Sequence, residues 1–437
     1  MNVAVYGLWH LGCVTAGCVA EAGNRVVGLD LDAQVVNDLR AGKPPLHEPG
    51  LSELITQESR AGRLSFTADP ADALRAADVL WVTFDTPVNE RDEADVESVR
   101  RALEAVAGDI PRGCIVLISS QVPAGFTREL ARAWQSRGFR YAYSPENLRL
   151  GKAIEVFRNA ERVVLGVSDD SARPALAELF APFAKRIEWM TVESAEMTKH
   201  ALNAFLATSV TFANELARLC EVVGADAKEV ERGLKSEARI GPKAYLSPGA
   251  AFAGGTLARD VRFLTAFGRQ LHVDTPLLGG VLASNDVHKD WVRNKVIDLL
   301  GGVQGPTVAV LGLTYKPGTD TLRRSLSVEL CQWLAKCGIH VRAHDPAVKQ
   351  LPEELRPVIQ LSPSARDVLA GADLAVIATE WPDYRGLKAD DFADTMRRPR
   401  VIDQNWFLAA ALGDDPRVTY VATGRPTRSN GPADGPE

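Results

Sequence analysis

The chain has 437 residues, 46% apolar and 24% charged, which is the make-up of an ordinary globular protein with two or three well-filled domains. A net charge of −6 without a basic cluster argues against nucleic acid as a partner, and no apolar run reaches the length of a membrane span. The chain opens as a strand, MNVAVYGL, with no charged leader, so a cytoplasmic location is expected; the six scattered cysteines (Cys13, Cys18, Cys114, Cys220, Cys331 and Cys337) lack metal-ligand spacing and are expected to be reduced and mostly buried, with no metal site.

Val3 to Tyr6 reads as a short strand, followed by a turn from Gly7 to Gly12, an Ala-rich helix to about Ala22, and a second strand, Val26 to Leu29, ending in Asp30. Strand, glycine turn, helix, strand and acid make a dinucleotide-binding βαβ unit, in which the helix N-terminus faces a pyrophosphate and the acid accepts from ribose hydroxyls. A carboxylate repels a 2′-phosphate, so Asp30 points to NAD rather than NADP. Trp9 stands where G-x-G-x-x-G has its middle glycine, so the turn alone is either a nucleotide site or a plain βα turn. Its candidate cofactor contacts are Gly7, Trp9, Leu11, Gly12 and Asp30.

Ala77 to Phe84 is a buried strand leading to Asp85-Thr86-Pro87, and Cys114 to Ser120 another, leading to Gln121-Val122-Pro123. Both put small or polar residues past a strand's carboxyl end, where open parallel sheets bind ligands, which adds Thr86, Pro87 and Gln121 to the cofactor candidates. Further strands are expected at Tyr141 to Tyr143 and Arg162 to Val167, taking a first domain to about residue 190.

From Thr191 to Asp226 the pattern is a helix of about 45 Å, capped by Thr191 or Ser194 and stopped by Gly224. Leu202, Phe205, Phe212, Ala213, Leu216, Leu219, Cys220 and Val223 share an apolar face expected to be buried, opposite Thr208, Thr211, Glu215 and Arg218 on a solvent side. A second polar stripe, Glu196, Lys199, Asn203 and Asn214, lies away from that solvent side. It is either a row of surface residues or a set of fixed hydrogen-bond donors projecting into a cleft. Helices continue over Glu229 to Leu234, Val261 to Phe267 and about Leu278 to Leu300. The Gly-rich stretch Ser247 to Val261 between them is either loop punctuation or a close backbone approach to a ligand.

A second α/β pattern begins after Pro306, with strands at Val308 to Leu311, Val341 to Ala343, Leu374 to Thr379 and Val401 to Asp403, and a helix from Ser325 to Cys337. The halves echo each other: V-A-V-Y-G-L at Val3 matches V-A-V-L-G-L at Val308, each followed by a strand ending in an Asp. The expected fold is therefore α/β, with two Rossmann-like doubly wound parallel-sheet domains joined by a long central helix. The expected limits are 1–190, a central helical and dimerisation region 191–300, a third region 301–423, and a disordered tail 424–437.

This order of motifs resembles the UDP-glucose/GDP-mannose 6-dehydrogenase family over nearly the whole chain. The resemblance is carried by His47-Glu-Pro-Gly-Leu51, Thr86-Pro87, Ser144-Pro-Glu-Asn-Leu-Arg149, Glu196-Met-Thr-Lys-His-Ala-Leu-Asn-Ala-Phe-Leu-Ala207, Pro248 to Phe252 with Asp260-Val-Arg, Tyr315-Lys-Pro-Gly-Thr-Asp320 and Thr379-Glu-Trp381. It implies NAD as cofactor, a nucleotide-sugar substrate and a homodimer through the central helices. It also implies oxidation of a C6 alcohol to a carboxylate in two hydride transfers, the second through a thiohemiacetal on a cysteine in a G-G-S-C-x-P-K-D loop. Laid on that loop, this chain reads Ala253 to Asp260, with Thr256 at the nucleophile's position and Arg259 for the lysine.

By the same resemblance, Lys199 and Asn203 stabilise an oxyanion, Asp260 holds a catalytic water, and Glu146 is the acid of the P-E-x-L motif, with Leu148 beside it at the substrate. Gly254, Tyr245, Lys316 and Arg323 match substrate contacts, and Arg239 resembles a residue lent across the dimer. Gln121 and Leu150 depart from the family's threonine and second glutamate. An intact alcohol-oxidation set beside a missing thiol leads to the expectation of a single two-electron oxidation that stops at the carbonyl. The alternatives are a four-electron oxidation to the uronate through an aldehyde hydrate, and a non-catalytic nucleotide-sugar binder.

Overall fold

In the computed structural model, which describes residues 1–87, 95–146, 148–253 and 256–426, the apolar run Asn2–Tyr6 forms β1 inside an eight-stranded sheet. Val3 and Val5 face one core and Ala4 and Tyr6 the other, which is why the strand is apolar throughout rather than alternating. The other strands of this sheet are β2 (Arg25–Leu29), β3 (Leu64–Thr67), β4 (Val79–Val82), β5 (Ile115–Ile118), β6 (Arg140–Tyr143), β7 (Val163–Val167) and β8 (Ile187–Thr191). Their order is β3-β2-β1-β4-β5-β6-β7-β8, parallel except between β6 and β7. The order reverses between β1 and β4, the switch point at which doubly wound sheets take their ligands.

The chain divides into two units, Met1–Leu202 and Asn203–Glu437. In the second, β9 (Thr307–Leu311), β10 (His340–His344), β11 (Gln360–Leu361), β12 (Leu374–Ile377), β13 (Arg400–Asp403) and β14 (Thr419–Val421) form a parallel sheet in the order β11-β10-β9-β12-β13-β14. The sequence echo is a structural one. β1 and β9 hold the same place in their sheets, and the glycines that end them turn alike, Gly7 at φ +98° and Gly312 at φ +99°.

Val192–Val223 is one unbroken helix. Thr191 Oγ1 accepts from Ser194 N at 3.3 Å at its start, and Gly224, at φ +76°, ends it. Its buried face is only partly the one expected, for of that face Ala213 and Cys220 are buried. Phe205 is 67% exposed, Leu219 61% and Val223 75%, whereas Thr211 is buried together with Asn203, Ala204, Ala207, Asn214 and Ala217. Small side chains let neighbouring segments approach closely, and the Thr211 hydroxyl satisfies itself on the Ala207 carbonyl at 3.0 Å, so polarity on this face costs little. The second polar stripe is buried: Glu196, Lys199, Asn203 and Asn214 are all at most 8% exposed.

Helices Thr256–Gln270 and Pro276–Leu300 pack beside it in the second unit. Among the described residues no helix is long and apolar enough to cross a membrane, and no His, Cys, Asp and Glu group is placed to hold a metal. Cys337 is exposed and the other five cysteines are buried. Residues 427–437 of the expected tail lie outside the described residues.

Candidate active site

The turn after β1 is built for close approach. A Cβ at Gly7 would lie 2.8 Å from the Phe84 ring, and one at Gly12 would strike the Gly7 carbonyl and sit 2.8 Å from Thr83 Oγ1. The helix His10–Glu21 therefore begins hard against the strand ends, with its first amides open. Trp9 caps that helix at φ −86° and ψ −158°, extended backbone that any residue adopts, so the turn closes without a middle glycine. Asp30 at the end of β2 accepts from Leu8 N at 2.9 Å and Asp32 N at 3.0 Å, which ties the acid to the turn. Trp9 and Leu31, each about half exposed, are the large apolar side chains this unit leaves uncovered among the described residues. An acid, a glycine turn, a helix N-terminus and two uncovered apolar walls fit a dinucleotide. Thr86 donates to the Gln121 carbonyl at 2.7 Å and so joins two of the strand-end candidates, while Pro87 beside it is exposed.

Further along the same strand ends, the Lys199 ammonium donates to the Glu146 carbonyl and lies 3.9 Å from the Glu146 carboxylate. That carboxylate in turn accepts from Leu148 N. Leu11, Glu146 and Leu148 line a small cavity of about 90 Å³ whose walls include Trp81, Phe157 and Phe180. Lys199 thus presents a fixed cation from a buried stem, and Glu146 a half-buried carboxylate.

In the second unit Asn203 donates its amide to Asp260, which has no exposed surface. Thr256 opens the helix that carries Asp260 and lines a cavity of about 350 Å³. Lys316, Lys289 and Arg293 contribute cations to this cavity; Ser325 and Ser327 bring the N-terminus of the helix Leu326–Lys336. Cations and a helix N-terminus around one cavity suit a phosphorylated ligand. The wall Gly249–Phe252 is held by side chains. Asn214 accepts from Gly249 N at 2.9 Å, His288 bonds the Gly249 carbonyl at 2.8 Å, Asn405 accepts from Ala250 N at 2.6 Å, and Asn285 bonds both backbone groups of Phe252. Burial holds His288 below the usual imidazole range, so it stays neutral in this role.

Of the substrate candidates in this unit, Thr256 and Lys316 line the cavity, while Arg239, Tyr245 and Arg323 are exposed and do not. Arg239 is paired with Glu237 at 2.9 Å. Gly254 lies outside the described residues. Lys289, Arg293, Gln404 and Asn405 escaped the sequence reading. For Gln404 and Asn405 the signal was available, because they follow β13 as Thr86 follows β4. For Lys289 and Arg293, one helical turn apart, it was not, since both read as solvated surface paired with Asp286 and Asp290.

The two acids that end the second strand of each half behave differently. Asp345, after β10, is buried and its Oδ2 is taken up by Leu313 N, Thr314 N, Thr314 Oγ1 and Trp381 Nε1. Asp30 stays half-buried. The first half therefore leaves its acid partly accessible, whereas the second closes its acid off.

Comparison with known proteins agrees with this division. Residues 1–184 match the NAD binding domain of the UDP-glucose/GDP-mannose dehydrogenase family, residues 193–287 its central domain, and residues 309–409 its UDP binding domain. UDP-glucose 6-dehydrogenase of Pseudomonas aeruginosa is 35% identical to this chain, with 98% of each covered. UDP-glucose 6-dehydrogenase AglM of Haloferax volcanii is 34% identical over 95% of this chain and 99% of its own. The solved structure of a UDP-glucose dehydrogenase from Pyrobaculum islandicum is similar at a TM-score of 0.81 and 33% identity, covering 92% of this chain and 93% of that one.

Proposed function

The chain belongs to the UDP-glucose/GDP-mannose dehydrogenase family, and from that premise we propose that it carries out a single two-electron oxidation of an alcohol on a UDP-glucose-like substrate, releasing the carbonyl. As an NAD-dependent dehydrogenase it acts on a CH–OH group of a nucleotide sugar. The Gly7–Gly12 turn and Asp30 would hold the cofactor, with Trp9, Leu11, Thr86, Pro87 and Gln121 around it. Bound there, NAD supplies the hydride acceptor.

Lys316, Lys289 and Arg293 would clamp the diphosphate. Lys199 and Asn203, one turn apart on the same helix, would donate to the alcohol oxygen and stabilise it as its proton leaves. Asp260 would receive that proton, directly or through water, and its bond to Asn203 would hold the amide, leaving the other N–H for substrate. Glu146 would orient Lys199 and the loop to Leu148. Each oxidation removes one hydride and one proton and leaves a carbonyl.

The observation that carries the single-step reading is chemical. Among the described residues the cavity containing Thr256 has no cysteine in its lining, and burial pushes the thiols of Cys13, Cys18, Cys114 and Cys331 up to about 12. A threonine hydroxyl without a base gives essentially no alkoxide, so no covalent hemiacetal forms to set up a second hydride loss. Screening UDP-, GDP- and dTDP-sugars with NAD should find one that yields one NADH per substrate consumed; a yield of two overturns this.

A second reading, full oxidation to the acid through the aldehyde hydrate, is favoured by the 35% identity over 98% of the chain to a protein named UDP-glucose 6-dehydrogenase. The same stoichiometry separates the two. The proposal includes a homodimer through the long helix, supported by the uncovered stripe Phe205, Phe212, Leu219 and Val223. Its expected setting is cytoplasmic.

A further inference from the structure

The cavity that the proposed function assigns to the nucleotide carries cations for a diphosphate, but it also carries a carboxylate whose place is less obvious. Glu380 follows β12 at the carboxyl edge of the second sheet and is part of the cavity lining. Its Oε1 accepts from Asn405 Nδ2. The orientation of that amide is set independently, because Asn405 Oδ1 accepts from Ala250 N at 2.6 Å. Among the described residues the other Glu380 oxygen, Oε2, accepts no hydrogen bond. Burial pushes the Glu380 carboxyl up, the Asn405 bond pulls it back, and Asp403 adds to the rise. Its Oε2 is therefore the oxygen left to accept from a ligand in the cavity.

We infer that Glu380 reads the ribose of the nucleotide-sugar substrate, accepting through Oε2 from its 2′- and 3′-hydroxyls. This rests on the nucleotide reading of the cavity. A nucleoside diphosphate sugar has three kinds of donor to offer a carboxylate. Guanine presents N1–H and N2–H₂ together and suits two free oxygens, but Glu380 has one. Uracil presents N3–H between two carbonyls, whose lone pairs would face the carboxylate. A cis-diol needs a single acceptor oxygen, as in dinucleotide sites where one acid holds a ribose. The other carboxylate of this cavity, Glu329, is exposed and, among the described residues, not fixed by a partner. The acid expected of a Rossmann half at the end of its second strand, Asp345, is closed off by four internal donors. In this unit the ribose acid has moved to the strand on the other side of β9.

The pinned amide of Asn405 makes Glu380→Gln a sharp test. A glutamine must give its own oxygen to Asn405 Nδ2, and its NH₂ then faces the cavity where the acceptor was. Calorimetric titration of the full-length protein with UDP and 2′-deoxy-UDP reads the effect without turnover. Wild type should bind UDP about tenfold more tightly than the deoxy nucleotide, and Glu380→Gln should reduce that ratio to about threefold or less. Glu380→Asp, which keeps the charge but withdraws the oxygen, should lose selectivity in the same way. Equal affinity of wild type for the two nucleotides, or unchanged selectivity in a variant that binds UDP, overturns the inference alone. Failure of wild type to bind UDP at millimolar concentration overturns the nucleotide reading of the cavity and this inference with it.

Discussion

Glu196 and Thr127 are joined twice. The Glu196 Oε1 takes both the backbone N–H of Thr127 at 2.9 Å and its hydroxyl at 2.5 Å, while Oε2 takes Gly125 N at 2.6 Å. A fully buried acid on the long helix thus supplies the cap that the helix Phe126–Ala133 lacks from its own N-cap, Gly125. Glu196→Ala should strand three donors and cost about 3 kcal/mol, read as a lowered urea midpoint. Burial pushes this carboxyl up, the Thr127 and Gly125 bonds offset part of the rise, and Glu193 adds to it. A raised folded value means that the group's contribution is complete below its ordinary 4.5 and is lost as pH rises through the folded value. The stability advantage of wild type over Glu196→Gln should therefore shrink from acidic pH to neutrality.

Asp30 and Asp345 should separate in the same clean way. Asp30→Ala removes an acceptor from the cofactor turn and should weaken NAD binding about tenfold or more by calorimetry. Asp345→Ala should leave NAD affinity alone and lower the unfolding midpoint instead, because it orphans buried donors on Leu313, Thr314 and Trp381. Equal losses of NAD affinity in the two variants would contradict the assignment of the cofactor to the first half.

What could be read from the residues, and what could not, divides along the sheets. Each strand expected from the sequence is present; those that were not expected are β3, β8, β11 and β14, the two edges of each sheet. Inner strands are buried on both faces and read as apolar runs. Edge strands such as Ile187–Thr191, with no fully buried residue, or Gln360–Leu361, with only two residues, leave no such mark. The acid, the glycines and the Lys199 stripe were legible because their chemistry is local to one turn or one helix face. The walls of the cavity containing Thr256 were not, because Asn405 meets Ala250 across 155 residues. Helical periodicity also misjudged the long helix: it sorts faces by polarity, but cannot tell a face covered by its own chain from one left open.

That open face yields a prediction. Phe205, Phe212 and Leu219 are spaced seven apart on one stripe and exposed, whereas the residues behind them are packed. Replacing Phe205 and Phe212 with Glu should leave the fold intact and weaken self-association by about 2 kcal/mol or more, roughly thirtyfold. Sedimentation should show wild type as a dimer and the double variant as a monomer at the same concentration. A monomeric wild type would remove the dimer from the proposed function.

On the proposed function, Thr256 sets how far the oxidation goes. It is the first residue of the helix Thr256–Gln270, where the helix dipole favours a negative charge. A thiol placed there would ionise more readily than a free one and could attack the aldehyde, which the hydroxyl does not. Thr256→Cys should therefore raise the NADH yield from one towards two per substrate, with acid formation increasing as pH rises through the thiol's pKa. Thr256→Ala should change the rate of the first oxidation by less than about threefold, since the hydroxyl takes no part in proton or hydride removal. Product analysis by mass spectrometry distinguishes carbonyl from carboxylate in each case. An acid product already present in wild type, and formed faster in Thr256→Cys, would favour the hydrate route and reject arrest at the carbonyl.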